Sequence, residues 1–204
     1  MLYSFARAIL LPFFKIFFRL KVFGKENFPV EGPLIVASNH ASFLDPVIVG
    51  IITPRKMNFL ARDTLFRSKI FAKILYLLNV LPLRREKRDI NAFRLSLRLL
   101  SQGKPLLIFP EGTRSEDGNL QKPRYGIGLL EALSGAAIVP CYVKGSMDAL
   151  PRHSAFPKFK PISVHFGAPL KFGGQHIPKD KKERYRQVAV EVMAAIQELK
   201  KNAD

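Results

Sequence analysis

The chain has 204 residues, with 33 lysines and arginines against 16 aspartates and glutamates, so its formal net charge is +17. That length allows one domain with a sizeable core, and that charge calls for an anionic partner, either a nucleic acid or the anionic face of a membrane. The single cysteine, Cys141, excludes an internal disulfide. The four histidines, His40, His153, His165 and His176, are too scattered for metal-ligand spacing, so no metal site is expected.

Residues 2–20 are the most lipid-like part of the chain. Tyr3, Phe5, Phe13, Phe14, Phe17 and Phe18 are interleaved with Ile9, Leu10, Leu11 and Ile16, and no acidic residue precedes Glu26. Arg7, Lys15 and Arg19 interrupt the run, which falls short of the roughly 20 apolar residues that span a bilayer. Ser4, Arg7, Leu11, Lys15 and Arg19 step by three or four, so a helix here carries one narrow, mainly polar stripe on an otherwise apolar surface. This pattern predicts a helix lying in the membrane interface with its cations reaching headgroups. An ordinary core helix is the alternative. Pro12 is expected to kink this helix or divide it in two. A signal peptide is not expected, because the apolar region holds charges and no small-residue cleavage site follows.

Leu20–Phe23 reads as a first strand, and Pro33–Ser38 as a buried one. Between the latter and a short helix over Pro46–Ile52 lies the loop Asn39-His40-Ala41-Ser42-Phe43-Leu44-Asp45. Pro46 suits the first helical position, so Asp45 is expected as the N-cap. On one helix His40 and Asp45 would point about 140° apart, but a loop can fold the imidazole back onto the carboxylate. A carboxylate on one ring nitrogen fixes the tautomer, and the other nitrogen is then free to take a proton. The plain alternative is a capping aspartate beside a loop histidine.

Met57–Ala61 is expected as the next strand, ending at Arg62, and Ile70–Leu78 as a helix. Arg84 and Arg85 open a charge run. Asp89–Ser101 reads as a helix with Ile90, Phe93, Leu97 and Leu100 on one face, stopped at Gly103. A short apolar strand, Pro105–Ile108, then leads into Phe109-Pro110-Glu111-Gly112-Thr113-Arg114-Ser115. Gly112 permits close backbone approach, and Arg114 offers a planar fork for phosphate or carboxylate. Glu111 is expected to position Arg114 or receive a substrate hydroxyl.

The His40-x4-Asp45 loop followed by this FPEGTRS turn resembles the glycerolipid acyltransferase family, over about Val22 to Leu170. The resemblance implies transfer of an acyl group to a lysolipid, most directly lysophosphatidic acid to phosphatidic acid, with His40 as general base and Asp45 orienting it. It implies glycerol-phosphate binding by Arg85, Glu111, Gly112, Thr113 and Arg114. It also implies substrate binding by Arg62, which stands where the family commonly has lysine and would face the thioester oxygen or a phosphate; Arg84 and Asn79 stand where the family has aspartate and glycine. Arg124-Tyr125-Gly126 fits a further family position with arginine in place of lysine. The implied partners are acyl-CoA or acyl-carrier protein as donor and a lysophospholipid as acceptor, with no cofactor.

Gly126–Leu133 is expected as a helix. Ile138–Val143 is expected as a strand with Pro140 at its middle, either shaping the acyl pocket or marking a sheet edge. Cys141 lies in that apolar run as a small buried hydrophobe. Lys160–Phe166 is expected as a late strand, in which His165 is structural. Asp180–Asn202 is expected as a closing amphipathic helix that begins with an acidic capping box, Asp180 and Glu183. The expected fold is therefore a single α/β domain, a mixed sheet flanked by helices, with residues 1–22 as an interfacial helical element and 23–204 as the acyltransferase domain. It is expected to work peripherally or monotopically at the cytoplasmic face of a membrane. Two other acceptable readings are acylation of another lysolipid, such as a lyso-ornithine lipid, and a non-catalytic membrane-surface module. Nucleic-acid binding has no motif to support it beyond charge.

Overall fold

Leu34–Ser38 (β2) is buried at every position, and its alternate side chains feed two different cores. Leu34 and Val36 enter one cluster, Ile35 and Ala37 the other. A continuous apolar run of this kind belongs at the centre of a sheet covered on both faces. A computed structural model describes residues 2–83, 90–154, 156–173 and 180–203. Among them are β1 (Lys21–Phe23), β3 (Asn58–Arg62), β4 (Val80–Leu83), β5 (Leu106–Ile108), β6 (Ala137–Lys144) and β7 (Ser163–Phe166). The sheet order is β1-β7-β6-β2-β5-β3-β4, and every pairing is parallel except β6 with β7. The fold is thus the expected mixed α/β sheet.

The helices are α1 (Leu2–Phe17), α2 (Asp45–Ile52), α3 (Lys69–Leu77), α4 (Ile90–Ser101), α5 (Gly126–Ser134), α6 (Ser146–Ala149) and α7 (Lys181–Ala203). Their side chains divide between the two cores. Phe14 of α1 and Ile48, Val49 and Ile52 of α2 fill one face, while Leu100, Ile127, Val192 and Ile196 from α4, α5 and α7 fill the other. The handedness of βαβ crossovers gives the same division. The β2→β3 and β3→β4 crossovers step in one direction along the sheet, so α3 lies on the face that carries α2; the β4→β5 and β5→β6 crossovers step back and place α4 and α5 opposite.

Three expectations need correction. Pro12 does not divide α1, which is continuous from Leu2 to Phe17. Packing holds it across the missing N–H: Tyr3 donates its hydroxyl to the Gly50 carbonyl at 2.9 Å, and Phe14 and Phe18 are buried. Pro140 is not at a sheet edge, because β6 lies between β7 and β2. On its strand the Ile138 N–H donates toward Leu170, so the N–H that Pro140 lacks falls on the same side, where the chain arcs over Gly167–Pro169 between two paired stretches. The Asp180–Glu183 capping box is half made: Asp180 Oδ1 accepts the Lys182 N–H at 2.9 Å, but Glu183 pairs with Arg186. The departure at Asn79 has a clear basis. Its φ of 61° is left-handed, and asparagine tolerates that region better than most residues other than glycine.

Helices α5 and α7 meet at Gly128. A Cβ there would lie 2.2 Å from the Tyr185 carbonyl oxygen and 2.7 Å from its Cα. Backbone cannot yield as a flexible side chain does, so Gly128→Ala is expected to lower stability by about 1–3 kcal/mol. Urea unfolding measures it, and an unchanged midpoint would refute this account of the α5–α7 seam.

Candidate active site

The carboxyl ends of β2, β5 and β6 gather two loops, the usual ligand-collecting place of an open α/β sheet. The first loop leaves β2 at Asn39. Its buried side-chain amide continues the pairing with β6, accepting the Val143 N–H at 2.7 Å and donating to the Val143 carbonyl at 3.0 Å. Ser42 is buried and donates its hydroxyl to the Leu150 carbonyl at 2.8 Å, so it ties the loop down. These two anchors were not assigned from the sequence, since both pair with backbone far along the chain.

Between the anchors the loop folds back on itself. His40 Nδ1 lies 2.9 Å from Asp45 Oδ2, and the same oxygen accepts the Ala41 and Ser42 N–H groups, each at 2.7 Å. Asp45 is fully buried. It is the first residue of α2 rather than its N-cap; the cap position is Leu44. The capping expectation fails because the carboxylate turns backward to collect the loop amides instead of the helix's own. Accepting two N–H donors already, that oxygen takes a third from Nδ1, which leaves Nε2 as the proton-accepting nitrogen of His40. The imidazole also stacks on Phe109, with ring centroids 3.9 Å apart and planes 15° apart, and remains partly open, with its side chain 18% exposed.

The second loop brackets the first. The Ser115 N–H donates to the His40 carbonyl at 2.7 Å, and the His40 N–H donates to Glu111 Oε1 at 3.0 Å. Glu111 Oε2 accepts the Gln121 N–H, also at 3.0 Å. Glu111 is buried, and burial pushes its carboxyl up, against the pull of these two amides and with a further push from Asp45. The expectation that Glu111 positions Arg114 is therefore replaced: both of its oxygens hold backbone, so it clamps the histidine loop to the segment at Gln121. Gly112 has φ +70°, and the Arg124 side chain occupies the space beside it, 2.6 Å from where a Cβ would be. Thr113 is half-buried in the same turn.

Arg114 lies over Phe43, its guanidinium carbon 3.5 Å from the ring centroid, and its Nη1 is buried without a hydrogen-bond partner among the described residues. Burial lowers its proton affinity most, followed by the like charges of Arg152 and Arg62, while Asp45 opposes. The charges of Arg152 and Arg62 therefore both reach Arg114, which also feels Asp45. Arg62 sits at the carboxyl end of β3. Arg152 pairs with Glu116 at 2.6 Å; the sequence offered no signal for it, because it adjoins no motif and only the β6–β7 connection brings it here. Arg84 and Arg85 lie outside the described residues.

An apolar cavity of about 210 Å³ adjoins the histidine through Phe109, lined also by Leu60, Leu83, Phe93, Ile108 and Leu130. Pro140, for which shaping the acyl pocket is one of two readings, is not among the residues that line this cavity. Cys141 is fully buried, with its thiol pushed up to about 12 by that burial, which makes it a core residue and no nucleophile. Among the described residues no cluster of histidine, cysteine and carboxylate side chains is arranged to hold a metal ion.

The chain matches known proteins over most of its length. A family model described as Acyltransferase matches residues 19–144. A 1-acyl-sn-glycerol-3-phosphate acyltransferase of Bacillus subtilis is 28% identical over 188 residues, covering 91% of this chain and 90% of that one. A chloroplastic 1-acyl-sn-glycerol-3-phosphate acyltransferase of Arabidopsis thaliana is 30% identical over 141 residues, 68% of this chain; the chain spans only 39% of that relative's length. The crystal structure of the 1-acyl-sn-glycerophosphate acyltransferase PlsC from Thermotoga maritima has the same fold. It superposes with a TM-score of 0.77 at 24% identity, covering 97% of this chain and 79% of that one.

Proposed function

The chain belongs to the acyltransferase family, whose model covers residues 19–144, and from that membership we propose that it transfers a fatty acyl group from an acyl thioester to the sn-2 hydroxyl of lysophosphatidic acid, giving phosphatidic acid. The observation that carries this reading is the 2.9 Å contact between His40 Nδ1 and the buried Asp45 carboxylate. His40 Nε2 takes the proton of the glycerol hydroxyl while Asp45 holds the ring and stabilises the imidazolium. The alkoxide oxygen attacks the thioester carbonyl, and the tetrahedral adduct collapses by breaking its C–S bond. The proton on Nε2 passes to the departing thiolate, so His40 ends neutral and the products are phosphatidic acid and the free thiol carrier. No covalent acyl-enzyme is needed.

Arg114, with Arg62 and Arg152 in its field, receives the acceptor's phosphate, with Thr113 and Gly112 shaping that turn and Arg85 assigned there by motif. Glu111 supports His40 from behind. The apolar cavity beside Phe109 takes part of an acyl chain. The donor is acyl-CoA or acyl-carrier protein, both acidic partners suited to a +17 chain. No described helix is long and apolar enough to cross a membrane. In helix α1 Tyr3 and Phe14 pack inward, while Phe5, Ile9 and Ile16 face out; by this reading the outward side of α1 seats the enzyme on an anionic bilayer surface.

Thiol release from a long-chain acyl-CoA in detergent micelles, with and without lysophosphatidic acid, tests the reaction. Release that needs the acceptor is expected; release without it marks a thioesterase and overturns the proposal. If the phosphate assignment holds, Arg114→Ala raises KM for lysophosphatidic acid by about tenfold or more, the scale of one charge-assisted hydrogen bond, while KM for the donor moves little. A larger change in donor KM would refute it. A phosphate-free lysolipid that competes equally well would identify a different acceptor.

A further inference from the structure

We propose that helix α3 is a second membrane-seating element, which lies on an anionic bilayer surface together with α1; this rests on the interfacial reading of α1 given above. None of the nine residues of α3 is buried. Ile70 is 79% exposed, Leu77 52%, Phe71 45% and Ile74 40%. On a helix these four form one stripe, and the half-buried Ala72 and Leu75 lie away from it, toward the domain. A folded domain in water has no use for a helix with its apolar stripe turned outward. The sense of the crossovers puts α3 on the sheet face that carries α2, and α1 packs on that same face. The opposite face is covered by α4, α5 and α7. The exposed apolar side chains of α1 and α3 therefore share one side of the molecule.

Charge selects the occupant. Lys69 and Lys73 border the apolar stripe, Arg67 precedes it, and no acidic residue occurs between Asp63 and Glu86. Long cationic side chains beside an apolar stripe reach headgroups while the stripe enters the acyl boundary. A second copy of a +17 chain would bring like charges together, whereas an anionic leaflet attracts each of these cations. Two separate elements fix the orientation of the enzyme on the surface, which one helix alone does not.

The test uses the full chain and vesicles of phosphatidylglycerol and phosphatidylcholine. Ile70→Glu with Ile74→Glu changes exposed residues and should leave the melting curve unchanged. It is expected to weaken vesicle binding by at least about tenfold while leaving turnover of a water-soluble short-chain lysolipid as in wild type. Vesicle binding equal to wild type overturns the proposal. The parallel variant Ile9→Glu with Ile16→Glu separates the two readings. If it alone loses binding, the inference about α3 falls and that about α1 stands; if neither variant loses binding, both fall. Equal binding of wild type to pure phosphatidylcholine vesicles would also overturn the anionic choice. As a direct readout, Ile70→Cys carries an environment-sensitive fluorophore, with buried Cys141 silent; a blue shift on vesicles is expected, and an unshifted spectrum counts against the proposal. Loss of a dimer in the α3 variant with vesicle binding intact would make the stripe a protein interface and overturn it.

Discussion

Replacing His40 with alanine is expected to lower acyl transfer by about 10²–10⁴-fold, the usual contribution of a positioned general base, with the fold retained. Retention follows from where the loop is held. The contacts that fix it run through the His40 main chain, whose N–H donates to Glu111 and whose carbonyl accepts from Ser115, and through the side chains of Asn39 and Ser42. Among the described residues the imidazole itself adds only the Asp45 bond and the stack on Phe109. The loss should therefore fall on turnover, with little change in KM for either substrate, because proton removal happens in the transition state and binding does not need it. A well-folded His40→Ala protein with near-normal turnover would falsify the mechanism proposed here.

Asp45→Asn is expected to be nearly as damaging to turnover, with a distinct signature. The carboxylate of Asp45 is acceptor-only, and a single oxygen takes Nδ1 and two backbone amides. An asparagine can present one carbonyl oxygen to those amides, so the loop keeps much of its shape. Because that one position serves both the amides and Nδ1, an NH₂ group there would face two N–H donors, so the carbonyl oxygen stays as a weaker, uncharged acceptor of the Nδ1 hydrogen and holds the tautomer less firmly. It also lacks the charge that stabilises an imidazolium. For a comparable triad change of this kind the loss is about 10⁴-fold, and a loss of at least about 10²-fold is expected here. Asp45→Ala removes the acceptor altogether and leaves the Ala41 and Ser42 N–H groups buried and unpaired, so it should also cost about 2–4 kcal/mol of stability. Comparing kcat and the urea midpoint of the two variants separates the two roles. Equal loss of stability in both would mean that Asp45 serves only the loop.

Glu111 illustrates a limit of motif reasoning. Its place between a buried strand and a glycine pointed to a working carboxylate, and the family pattern assigned it to substrate. The structure instead turns both oxygens to backbone amides, those of His40, 71 residues back, and Gln121, 10 residues on. Arg152 is the converse case. Nothing around it in the chain marks it, yet among the described residues it is the largest charge influence on Arg114. Pro140 shows the same dependence, since a proline inside a strand reads as an edge, whereas here the chain just past β7 stays beside it, the Gly167 N–H donating to the Pro140 carbonyl at 2.9 Å.

The sequence by itself determined the core elements of the domain, because apolar periodicity and punctuation are local signals. β2, β6, α2, α5 and α7 emerged near their observed bounds, as did the His40–Asp45 loop and the turn after β5. It also marked residues 2–20 as lipid-like, though not that α1 packs inward on one side and faces out on the other. The tertiary structure alone decided strand order, the clamp made by Glu111, the grouping of Arg62, Arg114 and Arg152, and the outward stripe of α3. Each of these depends on which distant backbone comes alongside, and a chain's local pattern carries no record of its neighbours across the sheet.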